Sequence, residues 1–430
     1  MVSHRSPEAA RFEGYLEQLS AAVGHADRRE PLRAYLTGLL LPGERKSVEP
    51  MAAKWDPLHV RARHQSLHHF VAEAPWSELG MLGVAREYGL AALERHGPIA
   101  AWVVDDTAMP KKGSYSVGVA HQYCGALGKS ANCQAVVTVS LVNATMSVPA
   151  GYRLYLPESW ARDAERLASA GVPADVEFQT KPTIALGEID RLLAEEIPLA
   201  PVVADAGYGT STEFRDALTA RSLSYAVGIS SETRVWPAGH NPLPPLQRQG
   251  RGRPATRLRR TAEHQPVTVQ DLAHKLSRAA WKTVRWREGT RGMMVSRFAQ
   301  VRVRPSHRDY LRRESREPEW LLMEWPTGDQ KPTRYWLSTV PEDVEIEELV
   351  RLAKIRWRIE RDFQELKDEL GLDHYEGRGW RGFHHHGALC IAAYAFLAAE
   401  RARLSPPAPL AFLGPARLPE DYKPRGSAAP

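Results

Sequence analysis

The run IAAWVVDD, from Ile99 to Asp106, most limits what this chain can fold into. A short, β-branched, unbroken apolar stretch reads as a buried strand, and this one ends on two carboxylates. Before it, from about Ala9 to Gly97, FEGYLEQLSAAV, PLRAYLTGLLL and MLGVAREYGLAALERHG place apolar residues at helical spacing between proline and glycine breaks. After it, SYSVGVAHQYC and NCQAVVTVSLVNA read as two more strands, which predicts an antiparallel meander. The segments ESWARDAERLASAG and PTIALGEIDRLLAEEI then read as helices. LAPVVADAGYG follows as a strand ending at Asp205, STEFRDALTAR as a helix, and LSYAVGIS as a strand. Strands that alternate with helices predict an α/β fold with a mixed sheet flanked by helices.

That rhythm stops between about Ser230 and Val344. NPLPPLQRQGRGRPATRLRR is rich in proline and arginine and carries no acid, so it reads as a solvated loop or a polyanion-facing arm that includes Arg251 and Arg253. WKTVRWREG, MVSRFAQVRVR, EWLLMEW and TRYWLSTV then alternate like antiparallel strands. The expected organisation is a helical domain over 1–98, the first part of an α/β core over 99–229, a β-rich insertion over 230–345, the rest of the core over 346–403, and a flexible tail rich in proline and alanine over 404–430. In the first of these, WDPLHVRARHQSLHHFVAEAPWSE mixes Arg, His and Trp in a way that suits either DNA contact or helix packing.

The 57 Lys and Arg outnumber the 51 Asp and Glu, giving a net charge of +6, so a polyanion such as nucleic acid is the natural partner. Only 3 cysteines occur, with no C-x-x-C spacing, and no run approaches the roughly 18 apolar residues of a spanning helix. A cytoplasmic, nucleoid-associated protein is expected. No P-loop, G-x-S-x-G or dinucleotide fingerprint is present, which leaves ATP-driven and serine-hydrolase chemistry without support. His384, His385 and His386 are adjacent but lack H-E-x-x-H spacing, so a packing or DNA-facing role is preferred to zinc.

Chemistry is expected from carboxylates. Asp105 and Asp106 end one buried run and Asp205 another, where ligands bind in open α/β sheets, although such an Asp also commonly caps the next element. Along KIRWRIERDFQELKDELGL and the residues just before it, at 100° per residue, Leu352, Ile355, Ile359, Phe363, Leu366 and Leu370 fill an arc of roughly 80°. Arg356, Glu360 and Lys367 cluster beside it, as either a functional row or a plain salt-bridge row. Three carboxylates from two strands and a helix are what a pair of Mg²⁺ ions needs for phosphodiester displacement. Arg356 and Lys367 would then face DNA phosphates, while Lys111 and Lys112 either hold a phosphate or simply solubilise a turn.

In the order VVDDT, VVADAGYG, long β insertion and RWRIERDFQELKDELGLDHYEGR, the chain resembles the DDE transposases of bacterial insertion sequences, which have an RNase H-like core. It is most similar to the group whose signature helix carries Tyr, Arg, Glu and Lys. Arg356, Glu360 and Lys367 keep that spacing, and Ala353 stands where the Tyr would be. The resemblance implies Asp106, which precedes Thr107, as first metal ligand, with Asp205 and Glu360 as second and third. It implies two Mg²⁺ ions, Mn²⁺ as substitute, and a homodimer acting on double-stranded DNA at terminal inverted repeats and target. A Trp of the insertion could stack on a flipped base, as in related enzymes, with Trp236, Trp281, Trp286, Trp320, Trp325 and Trp336 as candidates, although most of them are expected to be core residues of the insertion. A non-catalytic DNA-binding regulator and a metal-dependent nuclease without strand transfer are the competing functions.

Overall fold

The computed structural model describes residues 6–246, 255–290 and 292–404. They form two compact units: the first runs up to Pro198 and resumes at Trp357, and the second is Leu199–Arg356. The first unit opens with helices α1 (Pro7–Val23), α2 (Arg29–Leu40), α3 (Val48–Trp55), α4 (Val60–Ala72) and α5 (Glu78–Glu94). Ser6 caps α1 and Ser77 caps α5, each accepting a backbone N–H three residues on. Strands β1 (Ala101–Pro110), β2 (Ala120–Cys124), β3 (Lys129–Val142) and β4 (Ser147–Tyr155) follow, and then α6 (Glu158–Ala161), α7 (Ala164–Ser169) and α8 (Lys181–Ala194).

The expected meander is replaced by a sheet built around β3. β1 pairs antiparallel along one side of β3, while β2 and β4 pair along its other side. β4 goes unseen in the sequence because Pro149 and Gly151 interrupt its apolar pattern, and both are poor strand residues on propensity alone. Tertiary packing overrides that preference: the strand is buried without a break from Ser147 to Tyr152.

The second unit holds β5 (Val202–Ala204), α9 (Ala206–Gly209), α10 (Thr212–Ala220), β6 (Tyr225–Ile229), β7 (Arg234–Trp236), β8 (Val267–Thr268), α11 (Val269–Lys275), β9 (Lys282–Gly289), β10 (Gly292–Pro305), β11 (Glu319–Trp325), β12 (Arg334–Ser338) and α12 (Ile346–Lys354). β5 and β6 are parallel; β12 then pairs antiparallel with β6, β11 with β12, and β10 with β11. The strands of the β-rich stretch therefore extend the same sheet that β5 and β6 begin. Gly209 is required by closeness, since a Cβ there would collide with the Gly228 carbonyl.

The chain re-enters the first unit with α13 (Trp357–Asp368) and α14 (Trp380–Leu404). α14 is buried from Phe383 through Phe396 on all sides, which fits its nearly uncharged sequence there. It packs against α5, α2, α4 and β4. The sequence predicts one helix across Lys354–Leu372, but two are found, with Ile355 and Arg356 in a turn between them. The secondary structure is mixed α/β, consistent with an RNase H-like nuclease fold.

Candidate active site

Asp105 and Asp106 are both partly buried on β1. The sequence puts them at the strand's end, but β1 runs on to Pro110 and they sit at its centre, because pairing with β3 continues beyond the apolar run. Asp105 Oδ1 accepts the Asp106 N–H at 2.9 Å, and the Asp105 carbonyl accepts the Thr138 hydroxyl at 3.1 Å. Asp106 Oδ2 instead receives the Lys181 ammonium at 2.6 Å. Lys181 opens α8, whose N-terminus is set by Thr180, which accepts the Thr183 N–H, and by Pro182 in the first turn. Lys181 also lies 5.7 Å over the Tyr155 ring. Sequence reasoning missed this lysine; its helix-opening position after a Thr cap carried no chemical signal.

Asp205 lies in the second unit. Its Oδ1 accepts the Gly207 N–H at 2.8 Å and caps α9, as the simpler reading of a strand-end Asp anticipates. Its Oδ2 lies 3.8 Å from the Arg356 guanidinium, in the turn after α12. Arg356 therefore reaches a predicted ligand, though not as part of a continuous helix with Glu360.

Glu360 is exposed in the first turn of α13, and Lys367 is half-buried in its last turn. Burial lowers the Lys367 ammonium below the usual lysine range, while Asp373, Cys124, Asp368 and Asp105 pull it upward. Two other carboxylates of α13 are structural. Asp362 accepts the Tyr394 hydroxyl at 2.7 Å and the Ser147 hydroxyl, and its burial raises it to about 6. Glu365 pairs with Arg401.

Several expected DNA contacts are placed otherwise. Lys111 donates to the carbonyls of Asp373 and Tyr375 at 3.1 and 2.9 Å, so its ammonium is engaged by backbone rather than by phosphate. Lys112 is exposed. Arg251 and Arg253 lie outside the described residues. Trp236 is 1% exposed, donates its indole N–H to Asp309 at 2.7 Å and stacks on His264, so the expectation of a base-stacking Trp236 is corrected to a core residue. Other insertion tryptophans also have internal partners. The Lys354 ammonium sits 4.9 and 5.3 Å over Trp286 and Trp336 and pairs with Glu324. Arg297 lies 5.1 Å over Trp325, against which Trp281 packs edge-on, and Arg302 lies 4.9 Å over Trp320.

The three adjacent histidines of α14 are all 2% exposed. His384 takes the Leu154 N–H and faces the Trp380 carbonyl; His386 faces the Tyr35 hydroxyl and the Gly371 carbonyl. Those partners suit neutral imidazoles, and no zinc role arises from them. Among the described residues no group of three His, Cys, Asp or Glu side chains is gathered as a metal cage. The donor chemistry nonetheless fits a hard divalent cation. Asp105, Asp106, Asp205 and Glu360 offer only carboxylate oxygens and none is fully buried, and Asp106 and Asp205 each already draw a cationic side chain.

Residues 18–293 match the family described as DDE superfamily endonuclease. This chain belongs to that family. The matched span contains both β1 aspartates and Asp205 and ends before α13. The chain is also 33% identical over 172 residues to a protein named "Probable transposase for insertion sequence element IS701" from Microchaete diplosiphon. That similarity takes in 40% of this chain and 42% of the relative, so it spans under half of the relative's length.

Proposed function

We propose that this member of the DDE superfamily is an insertion-sequence transposase. It binds the terminal inverted repeats of its element, cleaves DNA strands by metal-dependent phosphodiester hydrolysis and joins the 3′ ends to target DNA, acting as a homodimer on DNA. The observation that carries the reading is the family match, whose span includes the β1 aspartates and Asp205. The similarity to a probable insertion-sequence transposase points the same way. A β1 aspartate, Asp205 and Glu360 would supply the carboxylates. The bound ions, two Mg²⁺ or Mn²⁺, would activate the attacking oxygen and stabilise the leaving one. Arg356, Lys367 and Lys112 would orient the scissile strand through its phosphates, Arg with its fork and Lys as point charges.

The test is incubation of the protein with labelled DNA that carries the repeats flanking its own gene, with and without Mg²⁺. Glu360→Gln should abolish cleavage while binding persists, and Glu365→Gln should leave both in place. Cleavage that survives EDTA, or equal loss in both variants, refutes the reading. Cleaved but unjoined products would make the protein a nuclease without strand transfer, and binding with no cleavage would make it a regulator.

A further inference from the structure

We infer that Asp105, rather than Asp106, is the β1 carboxylate that takes the metal, and that Asp106 with Lys181 forms a positioning pair on the opposite face of the sheet. This rests on the metal-dependent reading above and decides which side of β1 does the chemistry.

Paired residues of an antiparallel ladder point to the same face, and neighbours along a strand point to opposite faces. Asp105 pairs with Thr138, which pairs with Tyr152. Tyr152 stacks 6.0 Å from Phe383 of α14 and fills the space that Gly387 of α14 leaves open. Ala101, on the Asp105 face by alternation, leads through Val142 to Ser147, whose hydroxyl bonds Asp362 of α13. The Asp105 face is thus the one covered by α13 and α14.

Asp106 follows the other parity. It pairs with Val137, which pairs with Arg153, and two positions on, Ala108 pairs with Ala135 and so with Tyr155. Arg153 lies 3.7 Å from Glu188 of α8, and Tyr155 lies under Lys181. This is the α8 face. Glu360 belongs to α13, so a β1 carboxylate that shares a cation with it must come from the Asp105 side. A strand cannot turn both neighbours the same way without a bulge, and β1 runs in unbroken register along β3 from Ala101 to Pro110. The Lys181 ion pair, clamped from α8, fixes Asp106 on the far face and so holds Asp105 on the near one.

Mn²⁺ binding to the full chain, followed by the electron paramagnetic resonance signal of free Mn²⁺, tests this without reference to turnover. Asp105→Asn is expected to weaken Mn²⁺ binding about tenfold or more, as Glu360→Gln does, while Asp106→Asn keeps it within about twofold. For the positioning pair, Asp106→Lys and Lys181→Asp should each lower nicking of repeat DNA, and the two together should restore it, which loss of packing alone would not produce. Should Asp105→Asn misfold, Asp105→Glu decides: it keeps Mn²⁺ binding but loses nicking if Asp105 is a ligand. Wild-type behaviour of Asp105→Asn or Asp105→Glu, or a tenfold loss in Asp106→Asn, overturns the inference. If Asp205→Asn and Glu360→Gln also bind Mn²⁺ like the wild type, it is the metal reading that falls.

Discussion

Asp362 and Trp236 show how burial redirects residue types that sequence alone marks as functional. Asp362 is raised well out of the carboxylate range, yet both its oxygens are taken by Ser147 and Tyr394, so the shift reflects packing. Its folded value of about 6 lies above the ordinary 3.8, so its contribution to stability is full below pH 3.8 and lost as pH rises through 6. Asp362→Asn should therefore gain on the wild type by about 2 kcal/mol between pH 4 and pH 7, seen in urea unfolding at both pH values. Trp236→Ala should cost about 3–5 kcal/mol of stability, because it empties a core site and strips Asp309 of an indole donor. Chemical unfolding checks this, and DNA affinity of the folded variant should stay near wild type.

At the scale of elements, α14 is the buried axis of the first unit, and its histidines make that unit sensitive to acid. Burial lowers His384 to about 3 and His385 and His386 to about 4, against an ordinary 6.5. His385 faces two carbonyls, Trp76 at 2.9 Å and Val71 at 3.0 Å, which favour its charged form, but burial outweighs them. A base depressed in the fold adds stability that is full above 6.5 and lost as pH falls. Each ring should forgo on the order of 3 kcal/mol by pH 4. Stability measured by urea titration should drop steeply from pH 7 to pH 5, and His384→Leu should flatten that slope. The turn between α12 and α13 escapes periodicity altogether. Ile355 fits the apolar arc of a single helix, so the pattern runs straight through it; the break is made where Lys354 is drawn to Glu324 and the aromatic rings of the second unit's sheet.

For the whole molecule, the excess of 57 basic over 51 acidic residues is small beside the charge of duplex DNA, so binding must depend on where the cations lie. Lys111, Lys181, Lys354 and Arg302 are engaged within the protein. Binding to repeat DNA should still weaken steeply between about 50 and 200 mM salt, because phosphate contacts release counterions. Fluorescence anisotropy across that range measures the slope, and Lys112→Ala should make it shallower, whereas Lys111→Ala should lower stability instead. No helix among the described residues is long and apolar enough to cross a membrane.

Local sequence determined the elements whose signals are local. Apolar runs marked β1 and β5, and alternation marked β9 to β12. The order of carboxylates along the chain likewise pointed to the DDE family by itself. Pairing partners are not encoded locally, and so the sequence did not show that β3 lies between β1 and β4, or that β12 continues the sheet of β6. The same holds for Asp105 and Asp106. Alternation sends them to opposite faces, but only the packing of α13 and α14 on one face and α8 on the other decides which of them shares a face with those two helices and which meets Lys181.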